Sequence, residues 1–235
     1  MAFSDAESVA TCAGAVVRAD RVVDGLEYGR ATVGGDDATD TVCDLIERID
    51  RPDVTALLLA GVAPAWFNLL DPERLHEQTG LPTLALSFEA SPGLEPAIRE
   101  QFDGDAREWR LDAYRSLPPR RSLTVNDERL FVRAVGIDEN LRFSSASQTQ
   151  SDDVDESRRL SSANRTLSDD VDAPVADETE TGTTEIPPLA PNCEAARIVR
   201  AFTPEGGRPE PLRVARLAAR AGRELGERLT AERRR

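Results

Sequence analysis

Apolar positions in the first ninety residues switch between a period of two and a period of three to four. Thr11 to Arg18 is small and β-branched, Asp20-Arg21 offers a turn, and residues 22 to 33 continue with Tyr28 and Thr32 until Gly34-Gly35 ends them. This stretch is predicted to be a meander of short strands. Asp36 or Asp37 then stands where a cap is needed for a helix whose apolar face is Ala38, Val42, Leu45, Ile46 and Ile49. Residues 54 to 61 (VTALLLAG) form a continuous apolar run, the pattern of a central strand buried on both faces of a parallel sheet. Asp71-Pro72 opens a short helix that closes before Gly80, and residues 81 to 88 supply a fifth strand.

Further along, residues 92 to 102 and 105 to 116 have helical spacing, and Asn126-Asp127 between two short β-prone runs predicts a hairpin. Residues 195 to 202 and 212 to 229 carry two more helical faces. Strands mixed with helices in this order predict an α/β domain, a mixed sheet flanked by helices with a small β-hairpin beside it.

Composition breaks that pattern once. Between Ser144 and Asn192 there are eleven Asp and Glu, three Arg and few aliphatic residues. Such a stretch buries too little apolar surface to offset its ordering entropy, so it is predicted to be a disordered acidic insert. Ser-Asp-Asp-Val-Asp occurs in it at Ser151 and again at Ser168, which reads as expansion of a tolerated loop. The expected organisation is one domain from residues 1–143 plus 193–235, interrupted by residues 144–192.

Charge narrows the setting. There are 43 acidic against 29 basic residues, every basic residue is Arg, and the net charge is −14. Molar salt shortens the Debye length to about 3 Å, so such a surface points to the cytoplasm of a salt-accumulating halophile. The apolar run at residues 54–64 is too short to cross a bilayer, which needs about 20 residues, and the N-terminus lacks the charged and apolar regions of a signal peptide. Cys12, Cys43 and Cys193 are odd in number and widely spaced, and read as buried small residues, not as a disulfide or zinc framework. Against the acidic whole, residues 208 to 235 hold nine Arg and four Glu. Arg213 and Arg216 on that helix are candidate contacts for nucleic acid, with a solvated face as the plainer reading.

Four motifs then carry a resemblance: GGDDATD from Gly34, LLLAGVAPAWFNLLD from Leu57, TGLPTLALSFE from Thr79, and TPEGGRPEPLRVARL from Thr203, the last the most specific. Together they are similar to archaeal uncharacterised protein family 0215, also called domain of unknown function 99. The resemblance spans the chain outside the insert. It implies an endonuclease V-like, and therefore ribonuclease H-like, fold.

It also implies a chemistry. Nucleases of that frame hold one or two Mg²⁺ between carboxylates on neighbouring strand ends, because in-line phosphoryl displacement needs hard oxygen ligands and metal charge. The resemblance implies an Asp-Gly at the end of the central strand, where this chain has Ala60-Gly61. Asp5, Asp40 and Glu89 remain as candidate metal ligands, and Asp37 and Asp40 as candidate catalytic carboxylates. Asp36 and Asp37 also read simply as helix caps.

Trp66, Phe67 and Asn68 follow the end of the central strand, where α/β sheets place ligands. They are candidates for a binding platform, with core packing of the two aromatics as the alternative. His76, the sole histidine, reads as a surface residue, and the paired glycines lack the residues of a phosphate loop. Two functions stay open: a catalytically degenerate module that binds nucleic acid or protein, and a Mg²⁺-dependent phosphodiesterase acting on unusual nucleic acid.

Overall fold

In the computed structural model, residues 1–137 and 186–233 are described. Seven strands and seven helical segments alternate along them. Strands β1 (Ala2–Asp5), β2 (Val9–Val17) and β3 (Val23–Thr32) form an antiparallel meander. Strands β4 (Leu57–Ala60), β5 (Thr83–Ser87), β6 (Arg121–Val125) and β7 (Glu128–Val135) form a second sheet in the order β4-β5-β7-β6. Only β4 and β5 in it are parallel.

The two sheets meet at the N-terminus. The Met1 ammonium donates to Leu58 O at 2.7 Å, and Ala60 N donates to Met1 O at 3.1 Å. That two-bond pattern belongs to parallel neighbours, so the strand direction of β1 continues alongside β4. The backbone order across the seam is therefore β3-β2-β1-β4-β5-β7-β6.

Helices cover both faces, as the apolar run at β4 requires. Leu57 and Leu59 point to α1 (Ala38–Ile49) and α3 (Pro72–Thr79), where Val42, Leu45, Leu70 and Leu75 pack. Leu58 points the other way, to Leu84, Leu86, Val132, Val199 and Leu212. The last two come from α6 (Glu194–Ala201) and α7 (Glu210–Arg233). Fully burying each of these leucines stabilises by about 1.5–3 kcal/mol.

Several expectations change in register. The apolar run from Val54 becomes strand only from Leu57, where Leu57 N meets Pro82 O at 2.8 Å. Pro82 has no N–H to extend the ladder backwards. The hairpin turn sits on Asn126 (φ 48) and Asp127 (φ 64), the left-handed pair that a two-residue turn needs. Asn126 Nδ2 reaches Thr203 O and Gly206 O, both at 3.0 Å, so the Thr203 motif anchors the hairpin.

Most of the expected insert lies outside the described residues. Its last part does not behave as insert: Ser122 N donates to Pro187 O, Leu189 N donates to Ser122 O, and Leu189 is buried in the core. The backbone groups of β6 that would otherwise lie bare along this edge bind that segment instead.

Helix α7 packs on β1 and β2 through Leu212, Ala215, Ala218 and Ala219. Leu225 and Leu229, expected on the same face, are about half exposed because the helix runs past the sheet. Among the described residues, no helix is long and apolar enough to cross a membrane. Cys12 and Cys193 are buried, but Cys43 is only half-buried and donates to Gln78 Oε1 at 2.7 Å. Burial pushes the Cys12 thiol up to about 12. His76 is also half-buried, its ring set against Gly136 and its Nδ1 2.9 Å from Leu81 O.

Candidate functional site

The C-terminal end of β4 passes through Gly61 (φ 94) into α2 (Pro64–Phe67), a single turn of unusual hand. Pro64 in first position suggests an ordinary helix start. Instead Ala65 (φ 47, ψ 52), Trp66 (φ 55, ψ 67) and Phe67 (φ 58) are all left-handed. Left-handed backbone costs an L-residue about 1–2 kcal/mol, so a run of three requires support from outside.

The support is specific. Asn68 N closes the turn on Pro64 O at 3.0 Å, Gly34 N donates to Ala65 O at 2.7 Å, and Leu70 N donates to Val62 O at 2.8 Å. The Asn68 side chain is fully buried. Its Nδ2 donates to Thr32 O at 2.8 Å and to Asp37 Oδ1 at 2.6 Å, while its Oδ1 accepts from Ala38 N at 3.0 Å. A buried amide with every strong bond made rigidifies what it joins, here the end of β3, the start of α1 and the turn.

Asp37 consequently has a structural task. Its carboxylate accepts from Thr32 N at 2.9 and 3.0 Å, from Thr32 Oγ1 at 2.8 Å and from Asn68. Burial opposes its ionisation, yet these donors together hold its carboxyl below the ordinary value. It does not cap α1 with its side chain, as the sequence suggested. Asn68, thirty residues away, takes the Ala38 N–H instead.

From this turn an aromatic and cationic array extends across the surface. Trp66 meets Phe67 edge-on at 5.6 Å, and Phe67 meets Phe102 at 5.5 Å. The Arg110 guanidinium lies 3.9 Å from the Phe102 ring centre and 4.2 Å from that of Trp109. Arg110 comes from α5 (Gly104–Ser116), is 4% exposed, and donates to Gly34 O at 2.5 Å and Ala106 O at 2.9 Å. Burial pulls its pKa down, with the charge of Asp36 opposing. Trp66 is 53% exposed and Trp109 37%, so both indoles face solvent around a fixed cation. The core-packing alternative for Trp66 therefore fails, because the left-handed turn swings it outward. Phe67 is half-buried.

The expected carboxylate residues each have partners of their own. Asp5, at the end of β1, takes the Ala65 amide and lies near Arg223 of α7. Partial burial pushes its carboxyl up, against both of those contacts. Asp40 is ion-paired with Arg74. Glu89 is exposed after β5, where its carbonyl accepts from Arg120 Nη2 at 2.7 Å. Among the described residues, no group of three or more His, Cys, Asp or Glu side chains could hold a metal ion. Asp5, Asp40 and Glu89 therefore do not share such a group of three.

Arg213 and Arg216 are exposed, and Arg213 pairs with Glu210 at 2.9 Å. Both lie nearer the start of α7, about 15 Å and 10 Å before Arg223 at 1.5 Å per residue. Arg223 reaches β1, its Nε donating to Ser4 Oγ at 3.1 Å, and pairs with Glu227 at 3.2 Å. Arg223 lies within the Arg-rich stretch 208–235, but sequence spacing singled out none of Phe102, Trp109 or Arg110 for function. Only their aromatic and Arg chemistry could have flagged them.

The family described as endonuclease dU matches residues 2–152. A UPF0215 protein of Pyrobaculum calidifontis is 32% identical over 140 residues, covering 58% of this chain and 75% of its own. Another, from Methanopyrus kandleri, is 37% identical over 131 residues, covering 54% and 66%. A crystal structure of a protein of unknown function from Archaeoglobus fulgidus aligns with a TM-score of 0.62 and 19% identity over 93% of both chains, a likeness of fold.

Proposed function

The chain belongs to the endonuclease dU family, and from that premise we propose that it is a nucleic-acid-binding domain on a ribonuclease H-like frame whose metal-dependent cleavage is lost. The strand order β3-β2-β1-β4-β5, with β1 parallel to β4, supports the frame. Loss of cleavage is supported by Ala60-Gly61 at the strand end and by the engagement of Asp37 and Asp40 elsewhere. A lysine-free surface with net charge −14 supports a cytosol rich in salt as its setting.

One observation carries the binding reading: Trp66 is held out on a strained turn, in line with Phe67, Phe102, Arg110 and Trp109. Exposed indoles offer stacking faces to unpaired bases. Stacking persists in molar salt, where phosphate contacts weaken through loss of the counterion-release gain. Single-stranded or distorted nucleic acid is the matching ligand class.

The experiment is fluorescence titration at molar KCl with single-stranded oligonucleotides containing deoxyuridine or inosine. Trp66→Ala is expected to weaken binding about 5- to 150-fold, since stacking on one aromatic is worth about 1–3 kcal/mol. Equal affinity of the folded variant refutes the reading. The family description itself favours a second reading, a Mg²⁺-dependent phosphodiesterase. It predicts Mg²⁺- or Mn²⁺-dependent cleavage of the same oligonucleotides that Asp5→Asn abolishes. Cleavage gained only by Ala60→Asp supports the degenerate module.

A further inference from the structure

Helix α7 keeps an apolar stripe after it has left the sheet. It crosses β3 at Gly222, where an added Cβ would stand 2.8 Å from the Tyr28 ring and 3.3 Å from Thr11 Cγ2. One turn on, a Cβ added at Gly226 would meet nothing within 4 Å. Ala221, Leu225 and Leu229 follow one another every fourth residue, so they share one side of the helix with a drift of about 40° per step. A helix that faces a core buries such leucines, whereas both of these are half exposed.

Arg223 fixes which way that side looks. Its Nε bonds Ser4 Oγ, and the row across the sheet from Ser4 runs through Thr11 to Arg30. At about 100° per residue, Arg223 lies roughly 160° around the helix from Leu225. The stripe therefore looks the other way, toward Leu26, which shares the face of Tyr28 at the two-residue period of β3. Leu26 and Tyr28 are also nearly half exposed. Helix and strand make a corner lined by Ala221, Leu225, Leu229, Leu26 and Tyr28, and contiguous apolar surface of this kind marks a docking site.

Its charges suit a copy of the same chain. A second molecule of net charge −14 is repelled by the acidic surface at large, but α7 carries six Arg against four Glu. Glu224 and Arg228 flank the stripe on one side, a turn apart, where Arg228 Nε reaches Glu224 O at 3.4 Å. Among the described residues neither of these charges has an ion-pair partner, whereas Arg223 pairs with Glu227 on the far flank.

We propose that this corner docks a second copy of the chain, with the two α7 helices antiparallel about a two-fold axis level with residue 227. That axis sets Leu225 against the partner's Leu229 and Leu229 against the partner's Leu225, an isologous contact that closes at two chains. Under a two-fold axis the same flank of each helix meets, so Glu224 comes beside the partner's Arg228, offset by about 3 Å along the helix, and the reverse pair forms with it. The partner's helix then also covers Leu26 and Tyr28. A stripe flanked by one sign of charge would repel its own copy; one flanked by Glu224 and Arg228 matches itself.

The test is sedimentation equilibrium of the full chain at molar KCl across micromolar concentrations, where a reversible dimer is expected. Glu224, Leu225 and Arg228 are exposed, so substitution there leaves the fold intact. Leu225→Arg removes an apolar contact twice per dimer and is expected to raise the dissociation constant about tenfold or more. Glu224→Arg sets like charges together twice and is expected to raise it about threefold or more, and adding Arg228→Glu, which restores opposite signs in reverse order, brings it back to within about twofold. A chain that stays monomeric, a dimer that Leu225→Arg leaves as tight, or a double variant no tighter than Glu224→Arg alone each overturns the proposal.

Discussion

Replacing Asn68 by alanine tests whether a single buried amide holds the candidate site in shape. The substitution deletes the bonds to Thr32 O, Asp37 Oδ1 and Ala38 N, at 2.8, 2.6 and 3.0 Å. Each is worth about 1 kcal/mol net, and leaving the Ala38 N–H and Thr32 C=O without partners adds part of their desolvation cost. The expected loss is about 3–5 kcal/mol, a fall in Tm of about 6–20 °C for a domain of this size. Urea unfolding at fixed salt measures it. The freed turn also relaxes from its left-handed run, so Trp66 emission is expected to change in the still-folded protein at low urea. A loss below about 1 kcal/mol with unaltered Trp66 emission refutes the assignment of Asn68 as the hub. Asn68→Asp sharpens the test. It sets a second carboxylate against Asp37, so one of the pair is pushed to a raised pKa in the folded state. A raised folded value means the folded variant binds more protons than the unfolded chain. Its stability is then greatest below the unfolded carboxylate value of about 4 and falls as pH rises, while Asn68→Ala lacks that slope.

Two further outcomes follow from particular contacts. Burial pulls the Met1 amine from 8.0 down to about 6, so between those values the unfolded chain binds more protons; stability present above pH 8 is expected to fall as pH drops through 6. Urea unfolding at pH 8.5 and pH 5.5 reads this against an N-acetylated chain, which removes the titration of Met1; identical slopes for the two chains sink the argument. Gly222 of α7 lies so close to β3 that an added Cβ would stand 2.8 Å from the Tyr28 ring. Gly222→Val is expected to destabilise by about 1–3 kcal/mol through overpacking despite its better helix propensity, and a gain in Tm contradicts that contact.

Much of the fold was legible because its signals are local. The alternation in residues 11–33, the three- and four-residue spacing of Val42, Leu45 and Ile49, and the unbroken run of Leu57, Leu58 and Leu59 each name their element without reference to the rest. Where the reading slipped, a distant partner decided the outcome. Residues 54–56 have strand composition but no strand partner among the described residues. Residues 186–192 (IPPLAPN) carry no acidic residue and were grouped with the acidic stretch only by adjacency, yet they border β6, and Leu189 completes a core it could not reach by local preference.

The candidate site was less legible for a related reason. Pro-Ala-Trp-Phe-Asn reads locally as a right-handed helix start, and Ala, Trp and Phe all disfavour the left-handed region they occupy. What reverses the hand is a set of bonds from Gly34 and from the Thr32, Asp37 and Ala38 cluster, all about thirty residues earlier in the chain. The GGDDATD and PAWFN motifs, read separately as a cap and an aromatic platform, are two halves of one device. The acidic half locks the aromatic half in a conformation that its own sequence resists. The lock holds Trp66 outward at a cost, because backbone of the ordinary hand would relieve about 1–2 kcal/mol per left-handed residue.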